Sequence, residues 1–222
     1  MNTTNNQDTK QETRVLVLGA NGRIARHTID FLLKTADTRL TLYLRDSNRL
    51  KAIDNTMVRI VDGDIRNTEL LKDAMKDQDI VYANLSGDMD KHAATIVRLM
   101  KETGLKRLIF VLSLGIYNEV TGAFGQWNDR MIGKALAPYR KAAEIIESSD
   151  LEYTILRPAW LSDDDEIDYE LTQKGEPFKG TEVSRKSVGA LVAALIANPK
   201  SEMRKSLGVN KPNTNGDKPS FY

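Results

Sequence analysis

The chain of 222 residues contains no cysteine and only two histidines. The absence of cysteine excludes disulfides, thiolate catalysis and cysteine-ligated zinc, and it leaves a cytoplasmic setting as the default expectation. His27 and His92 fall on separate predicted helices, so we predict no metal site.

Long hydrophobic runs and an excess of one charge are also missing. The longest apolar run, Leu108–Ile116, is interrupted by Ser113 and Gly115 and falls short of the ~18 residues that a membrane span needs. Residues 1–13 are polar, without the apolar core of a signal peptide, and are predicted to be a flexible segment. The 32 basic and 31 acidic side chains nearly cancel, which argues against a nucleic-acid partner. We therefore expect a soluble protein that binds neither nucleic acid nor membranes.

Along residues 14–222, short apolar segments alternate with longer amphipathic ones, which is typical of βαβ units around a parallel sheet. The predicted strands are Val15–Leu18, Leu40–Leu44, Val58–Val61, Ile80–Ala83, Leu108–Leu112 and Tyr153–Leu156. The predicted helices are Arg23–Lys34, Thr68–Lys76, Lys91–Thr103, Tyr139–Ser148 and Lys186–Ala197. The pattern predicts a single α/β domain with a doubly wound parallel sheet, whose ligand crevice lies at the carboxyl ends of the strands.

The most informative segment is Arg14–Arg26, where an apolar run breaks into a glycine turn and then into helix-forming sequence. Gly19 allows a sharp turn after the strand, and Gly22 allows the backbone to approach a pyrophosphate without a Cβ in the way. The free N–H groups and positive dipole end of the helix would then face the phosphates. The pattern is not the full Gly-x-Gly-x-x-Gly fingerprint, and a plain strand, turn and helix is the alternative. From this turn we predict five cofactor-binding residues: Gly19, Asn21, Gly22, Arg23 and Ile24.

Arg45 follows the second predicted strand, at about the place where an NAD-binding domain carries an acidic residue for the ribose 2′-hydroxyl. A guanidinium there would attract the 2′-phosphate of NADP, with help from Arg23 or Arg49. The alternatives are a solvated loop arginine whose charge Asp46 compensates, or a ribose contact by Asp46 itself. The predicted cofactor is NADP.

Two other strand ends fit a nucleotide crevice. Asp64 and Ile65 follow the third strand and would flank the adenine. Asn84, Leu85, Ser86 and Gly87 follow the fourth strand and would lie beside the nicotinamide ribose. For Asp64, a turn residue or a charge at a helix N-terminus is an equally good interpretation.

Several segments between Arg14 and Pro199 resemble one family, the atypical short-chain dehydrogenase/reductases with NmrA-like and biliverdin reductase B-like members. Besides the glycine turn, the resemblance rests on Gly63–Ile65, Val111–Ser113, Tyr153–Pro158 and Val183–Val188. It implies a single Rossmann-like domain that binds a nicotinamide dinucleotide. It also implies a substrate pocket built from the C-terminal part of the chain over the carboxyl edge of the sheet.

The catalytic residues of the usual short-chain reductases are only partly present. Those enzymes use a serine to hold the substrate carbonyl and a Tyr-x-x-x-Lys pair for proton transfer. Ser113 ends the fifth strand where the family serine belongs, and it is our predicted catalytic residue, although it also fits a strand-end serine bonded to local backbone. None of the seven tyrosines has a lysine four residues later. The frame implied by the family places Leu136 and Arg140 at the dyad positions.

Two functions therefore remain open at this point. In the first, the protein is an NADPH-dependent reductase that transfers hydride to a small-molecule acceptor, such as a flavin, a quinone or a carbonyl compound, and solvent supplies the proton. In the second, the same pocket senses NADP(H) without turnover and reports it to a protein partner, as NmrA-like regulators do.

Three further patterns have less specific interpretations. Four aromatic residues, three in a predicted loop after Ser113 and one after Pro158, either line a pocket for a planar substrate or pack in the core; they are Tyr117, Phe124, Trp127 and Trp160. The acidic run Asp163–Glu166 is interpreted as a solvated helix start rather than a cation site. Residues Asn210–Tyr222 are predicted to be irregular or an edge element.

Overall fold

The structure is a computed structural model that describes residues 12–35, 37–50, 53 and 56–222. The strands are β1 Thr13–Leu18, β2 Thr38–Leu44, β3 Val58–Asp62, β4 Ile80–Ala83, β5 Arg107–Val111, β6 Glu152–Pro158, β7 Trp160–Ser162, β8 Glu170–Thr172, β9 Glu182–Ser184 and β10 Lys205–Asn210. The helices are α1 Arg23–Leu32, α2 Thr68–Met75, α3 Met89–Thr103, α4 Gly122–Ile132, α5 Ala137–Glu147 and α6 Arg185–Ala197. Residues 1–11 of the predicted N-terminal segment lie outside the described residues, and Thr13 begins β1.

The central sheet has eight strands in the order β3-β2-β1-β4-β5-β6-β10-β8. Its pairings are parallel except the one between β10 and β8. Strand β1 pairs with β2 on one side and with β4 on the other, so that Leu18 lies beside both Tyr43 and Ala83. The strand order reverses at β1, and the crevice between β1 and β4 is the place where α/β sheets bind ligands.

Helices cover both faces of the sheet. Helices α2, α3 and α5 pack on one face, where Leu71, Ile96 and Ile146 are buried. Helices α1 and α6 pack together on the other, where Ile29 and Val192 are buried. Because both faces are covered, the strands are nearly continuous apolar runs. The predicted single α/β domain with a doubly wound parallel sheet is confirmed, and no helix in the described ranges is long and apolar enough to cross a membrane.

The six predicted strands and five predicted helices all form close to their predicted bounds, whereas α4 and the strands β7, β8, β9 and β10 were not predicted. The prediction that Phe124 and Trp127 lie in a loop is wrong, because both residues are on α4. Gly122 and Gly125 lower the helix propensity of this segment, but burial of Phe124 and Asn128 stabilises the helix by tertiary packing. Glycine at 125 also lets the helix approach the carbonyl of Val120, which a Cβ would overlap.

The prediction that Asp163–Glu166 begins a helix is wrong. The segment between β7 and β8 is irregular, and three of the four carboxylates of the acidic run are paired with basic side chains from other parts of the chain, while Asp164 accepts a hydrogen bond from the Ser162 hydroxyl. Asp163 pairs with Arg23 and Arg185, Asp165 pairs with Lys186, and Glu166 pairs with Lys211. These long-range ion pairs satisfy the carboxylates in place of helix N–H groups. Of the predicted irregular end, Asn210 is the last residue of β10, and the remaining residues form no strand or helix.

Candidate dinucleotide-binding site

A cleft of about 630 Å³ opens at the carboxyl ends of β1, β2, β3 and β4. It brings together residues that follow four different strands. Of the predicted cofactor-binding residues, those on its wall are Gly19, Asn21, Gly22, Arg45, Asp64, Ile65, Asn84, Leu85 and Ser86. Gly87, predicted to lie beside the nicotinamide ribose, is also on the wall. The sequence did not predict the remaining wall residues Tyr43, Leu44, Gly63, Arg66, Asp88 and His92, and it gave Arg49 only a supporting role.

The glycine turn at the end of β1 has the geometry of a phosphate cradle. Gly19 has a φ of +78°, and a Cβ there would overlap the backbone carbonyl of Asn84. A Cβ on Gly22 would overlap the Asn84 side-chain amide, so the chain can approach this closely only without a side chain. Gly22 is the N-cap of α1 and offers no side-chain cap, so the N–H groups of the first turn remain available to an anion. These residues fit the pyrophosphate of a dinucleotide.

Two of the predicted residues direct their side chains away from the cleft wall. Ile24 is buried in the core beneath α1 and α6. The Arg23 guanidinium binds the Asp163 carboxylate, which also accepts a hydrogen bond of 2.8 Å from Arg185. The structure therefore does not place the Arg23 side chain beside Arg45, and the backbone N–H groups of Arg23 and Ile24 are what these residues offer at the start of α1.

The loop after β2 is held in place by the last residue of β3. The Asp62 carboxylate accepts hydrogen bonds from the backbone N–H of Asp46 at 3.1 Å and of Ser47 at 2.8 Å, and the bond from Ser47 lowers the pKa of Asp62. The bonds anchor a short 3₁₀ turn that places Arg45 and Arg49 on the cleft wall. Asp46, the alternative ribose ligand, is not among the residues that line the cleft.

The Arg45 side chain is 75% exposed, and its guanidinium lies 3.9 Å from the nearest carboxylate oxygen of Asp64. That carboxylate is already bound closely by Arg66, whose backbone N–H and guanidinium both donate to it at 2.9 Å. The hydrogen bonds from Arg66 hold the pKa of Asp64 well below its usual value, so the group is ionised at neutral pH. Arg45 and Arg49 are thus two cations on one wall without a close hydrogen-bonded counterion in the described residues.

Tyr43 connects the second and third strand ends. Its hydroxyl donates a hydrogen bond of 2.8 Å to the backbone carbonyl of Asp64. Burial, and then the charge of Asp64, raises the pKa of Tyr43 to about 12. A Cβ on Gly63 would lie only 2.5 Å from the Tyr43 hydroxyl, so glycine at 63 permits this contact. The part of the cleft between the ends of β2 and β3 is therefore fixed by contacts with the core.

Ser113, the predicted catalytic residue, follows β5 and is half-buried. Hydrogen bonds from the Leu112 N–H to Leu156 and from the Leu114 N–H to Pro158, at 2.7 and 3.2 Å, hold this segment against β6. Within the described part of the chain, no hydrogen bond of the Ser113 hydroxyl is found, so the backbone-bonded alternative is not what the structure contains. Ser113 is not part of the cleft wall and lies farther along the carboxyl edge of the sheet.

The positions of the missing dyad have structural roles. Leu136 is buried, and the Arg140 guanidinium donates a hydrogen bond of 2.9 Å to the carbonyl of Ile116. Burial raises the pKa of Tyr139, which is the opposite of what a tyrosine acid needs. The Tyr117 hydroxyl is bonded to Glu147 at 2.8 Å.

A buried ion pair supports the loop after Ser113. The side chains of Arg157 and Glu119 are 1% and 4% exposed and bind each other directly. Glu119 also accepts hydrogen bonds from the backbone N–H of Gly115 at 3.1 Å and of Tyr117 at 2.8 Å. Arg157 lies in Tyr153–Pro158, one of the segments that resemble the short-chain reductase family. The sequence did not reveal that Glu119 would be its partner, because the fold brings the two residues together.

The structure gives no indication of a metal site in the ranges it describes. No group of three or more histidine or acidic side chains there is arranged to hold an ion. His27 and His92 lie on α1 and α3, as predicted.

Comparison with known proteins agrees with this geometry. The sequence model of a family described as NAD(P)H-binding matches residues 19–199. A Rossmann-fold NAD(P)-binding family protein from Shigella flexneri is 48% identical, covers 96% of this chain and 100% of its own, and superposes with a TM-score of 0.83. A short-chain dehydrogenase/reductase from Veillonella parvula, solved in complex with NADP, is 31% identical over 94% of this chain and 99% of its own, with a TM-score of 0.86.

Two more distant proteins are a reductase and a reductase homolog by name. An anaerobillin reductase from Escherichia coli O157:H7 has the same fold, with a TM-score of 0.76 and 21% identity over 92% of this chain and 100% of its own. An isoflavone reductase homolog from Nicotiana tabacum is 26% identical over 45% of this chain. The match spans only 34% of that curated relative. The resemblance to atypical short-chain reductases and the predicted NAD(P)-binding Rossmann fold are confirmed.

Proposed function

The chain belongs to the NAD(P)H-binding family, and from that premise we propose that it is an NADP(H)-dependent reductase of the atypical short-chain type. In this proposal it transfers hydride to a small planar acceptor, such as a flavin or a quinone, or to a carbonyl compound. The observation that carries the choice of cofactor is the pair of arginines, Arg45 and Arg49, on the cleft wall after β2. We also propose a cytoplasmic setting, which the lack of cysteine favours.

The preference for NADP over NAD follows from the charges around the loop after β2. A ribose 2′-hydroxyl is bound by a carboxylate at this position, whereas a 2′-phosphate needs cations. Here Asp62 is occupied by backbone N–H groups and Asp64 by Arg66, so neither carboxylate is free to bind the ribose. Arg45 and Arg49 remain available, and the NADP complex of the Veillonella parvula relative supports the same cofactor.

The planar acceptor is proposed because no tyrosine in the sequence has a lysine four residues later to lower its pKa. Reduced nicotinamide would supply the hydride when bound, and the residues of this chain would bind and orient both partners. The Ser113 hydroxyl, just after β5, has no hydrogen bond within the described residues, and in this proposal it donates one to the acceptor. Solvent provides the proton, since Tyr139 has a raised pKa and Arg140 is bonded to the Ile116 carbonyl.

The second candidate is an NADP(H) sensor of the NmrA-like type, and one specific observation favours it. Arg140 occupies the position of the dyad lysine but serves only to hold the loop after Ser113. A protein with this arrangement can bind the dinucleotide tightly without turning it over. Such a sensor would need a protein partner, which a reductase does not.

Oxidation of NADPH with a panel of flavins, quinones and aldehydes tests the proposal. The reductase account expects acceptor-dependent loss of NADPH absorbance that saturates in both substrates, with a slower rate for NADH. Gly22→Val is the control, since it removes the cradle that the cofactor needs. Tight NADPH binding with no turnover for any acceptor would support the sensor and contradict the reductase.

A further inference from the structure

Three aromatic rings form a compact cluster at the surface. Trp127 on α4 and Trp160 on β7 have ring centroids 4.7 Å apart, and their planes are tilted by 60°. The Tyr222 ring contacts both edge-on, at 5.2 Å from Trp127 and 5.0 Å from Trp160. We refer to Trp127, Trp160 and Tyr222 as the aromatic cluster. It contains both tryptophans of the chain.

The aromatic cluster lies on the side of the cleft away from Arg45. Trp160 follows β6 at the carboxyl edge of the sheet, and its indole N–H donates a hydrogen bond of 2.9 Å to the Asn128 side chain. The Asn128 amide in turn packs against Gly115, just after Ser113. The cluster is therefore joined by direct contacts to the loop that carries the candidate catalytic serine.

A second contact joins the same region to the glycine turn. Asp163 follows β7 directly and pairs with Arg23. A dinucleotide with its 2′-phosphate at Arg45 and its pyrophosphate at the start of α1 extends towards β4 and β5. Strand β6 is next to β5 in the sheet, and Trp160 of the aromatic cluster follows shortly after β6 in the chain.

The Tyr222 ring is held only weakly on the two indoles. Tyr222 is 50% exposed, and the neighbouring Phe221 is 47% exposed. In the described part of the chain, the Tyr222 hydroxyl makes no hydrogen bond, and its ring contacts are aromatic ones. An aromatic pair of this kind changes an equilibrium by only a few-fold, so another planar ring can replace it.

We propose that Trp127 and Trp160 bind the planar ring of the hydride acceptor, and that Tyr222 occupies their site until the acceptor displaces it. This inference rests on the proposed reductase function. The Tyr222 ring is itself an internal counterpart of the ligand, because it is a flat ring in contact with both indoles. The ligand class is an aromatic or quinonoid ring system with its reactive face exposed to the nicotinamide side.

Tryptophan fluorescence measures occupancy of this site without turnover. Since both tryptophans lie in the aromatic cluster, their emission reports no other region of the chain. The NADP⁺-saturated protein is titrated with riboflavin and with menadione. We expect saturable quenching by both probes. Tyr222→Ala tightens binding about two- to tenfold, the equivalent of ~0.5–1.5 kcal/mol for an aromatic pair.

Trp160→Leu, followed through the remaining Trp127, weakens binding about tenfold or more. Trp160→Phe retains a ring and stays within a few-fold of the unmutated protein, which distinguishes loss of the site from loss of folding. Phe31→Leu, at an aromatic residue on the outer face of α1, is the matched control and leaves the affinity unchanged.

The two proposals fail in different ways. Absence of saturable quenching, or an unchanged affinity in Trp160→Leu, overturns the inference whether or not NADPH is oxidised. If Tyr222→Ala binds riboflavin and menadione no more tightly than the unmutated protein, the claim that the acceptor displaces the Tyr222 ring is overturned. Saturable quenching together with no oxidation of NADPH supports the site and overturns the reductase function.

Discussion

Arg23 in the glycine turn forms an ion pair with Asp163, 140 residues farther along the chain. Arg185 at the start of α6 shares the same carboxylate at 2.8 Å. Burial, and then the charge of Arg23, lowers the pKa of Arg185. The pair joins the phosphate cradle to the segment that follows Trp160, and Asp163 thereby holds the Arg23 guanidinium away from the cleft wall.

Asp163→Asn is therefore expected to tighten NADPH binding. The substitution removes a negative charge beside an anionic ligand and releases Arg23, and an exposed ion pair is worth only ~0.2–1 kcal/mol. The gain should be about fivefold at most, measured by calorimetric titration. Asp165→Asn is the control, since Asp165 pairs with Lys186 and does not contact the glycine turn. Weaker binding in Asp163→Asn would mean that the ion pair positions the cradle rather than competing with the ligand.

Gly22→Val should abolish dinucleotide binding while the protein remains folded. The new Cβ occupies the space that the pyrophosphate needs, and the atom it meets most closely is the end of the Asn84 side chain, which can move aside. NADPH fluorescence and circular dichroism measure the two effects. Gly216→Val is the matched control, because a Cβ there meets nothing closer than 3.5 Å. Normal NADPH binding by Gly22→Val would place the site elsewhere.

Ser113→Ala should lower turnover and leave the affinity for NADPH nearly unchanged, because the hydroxyl is proposed to contact the acceptor alone.

Tyr139→Phe should have little effect on kcat, since its hydroxyl has a raised pKa and no lysine partner. Steady-state kinetics with one acceptor compares the two variants. A loss of about a hundredfold in Tyr139→Phe would identify Tyr139 as the acid after all.

Arg157→Met should be strongly destabilising. Removing one partner of a buried ion pair leaves the Glu119 carboxylate uncompensated, which typically costs about 3–5 kcal/mol. Urea denaturation followed by circular dichroism gives the change in the free energy of unfolding. Arg98→Met is the control, because Arg98 forms an exposed helical pair with Glu102, worth only about 0.3–0.5 kcal/mol. If Arg157→Met and Arg98→Met lowered the free energy of unfolding equally, the buried pair would not be a main support of the loop after Ser113.

Most of the sheet could be predicted because its signals are local. The apolar runs of β1 and β4 and the amphipathic pattern of α2 lie within single segments of sequence. Helix α4 was missed because Gly122 and Gly125 obscure a helix that tertiary packing stabilises.

The difference between local sequence signals and tertiary contacts also decides which site residues could be predicted. Gly19, Gly22 and Arg45 were predicted from their places after strands, and the structure puts them on one cleft wall. Asp62 and Glu119 were missed because each acts on a backbone segment brought to it by the fold. Such contacts leave no local pattern in the sequence.

The relative affinities for NADPH and NADH test the central claim most directly. A charge-assisted contact to the 2′-phosphate is worth ~1.5–3 kcal/mol, so the unmutated protein should bind NADPH about ten- to a hundredfold more tightly than NADH. Arg45→Asp should abolish or reverse this preference, whereas Arg98→Asp, with the same change of charge on α3, should preserve it. Equal affinity of the unmutated protein for the two cofactors would contradict the account.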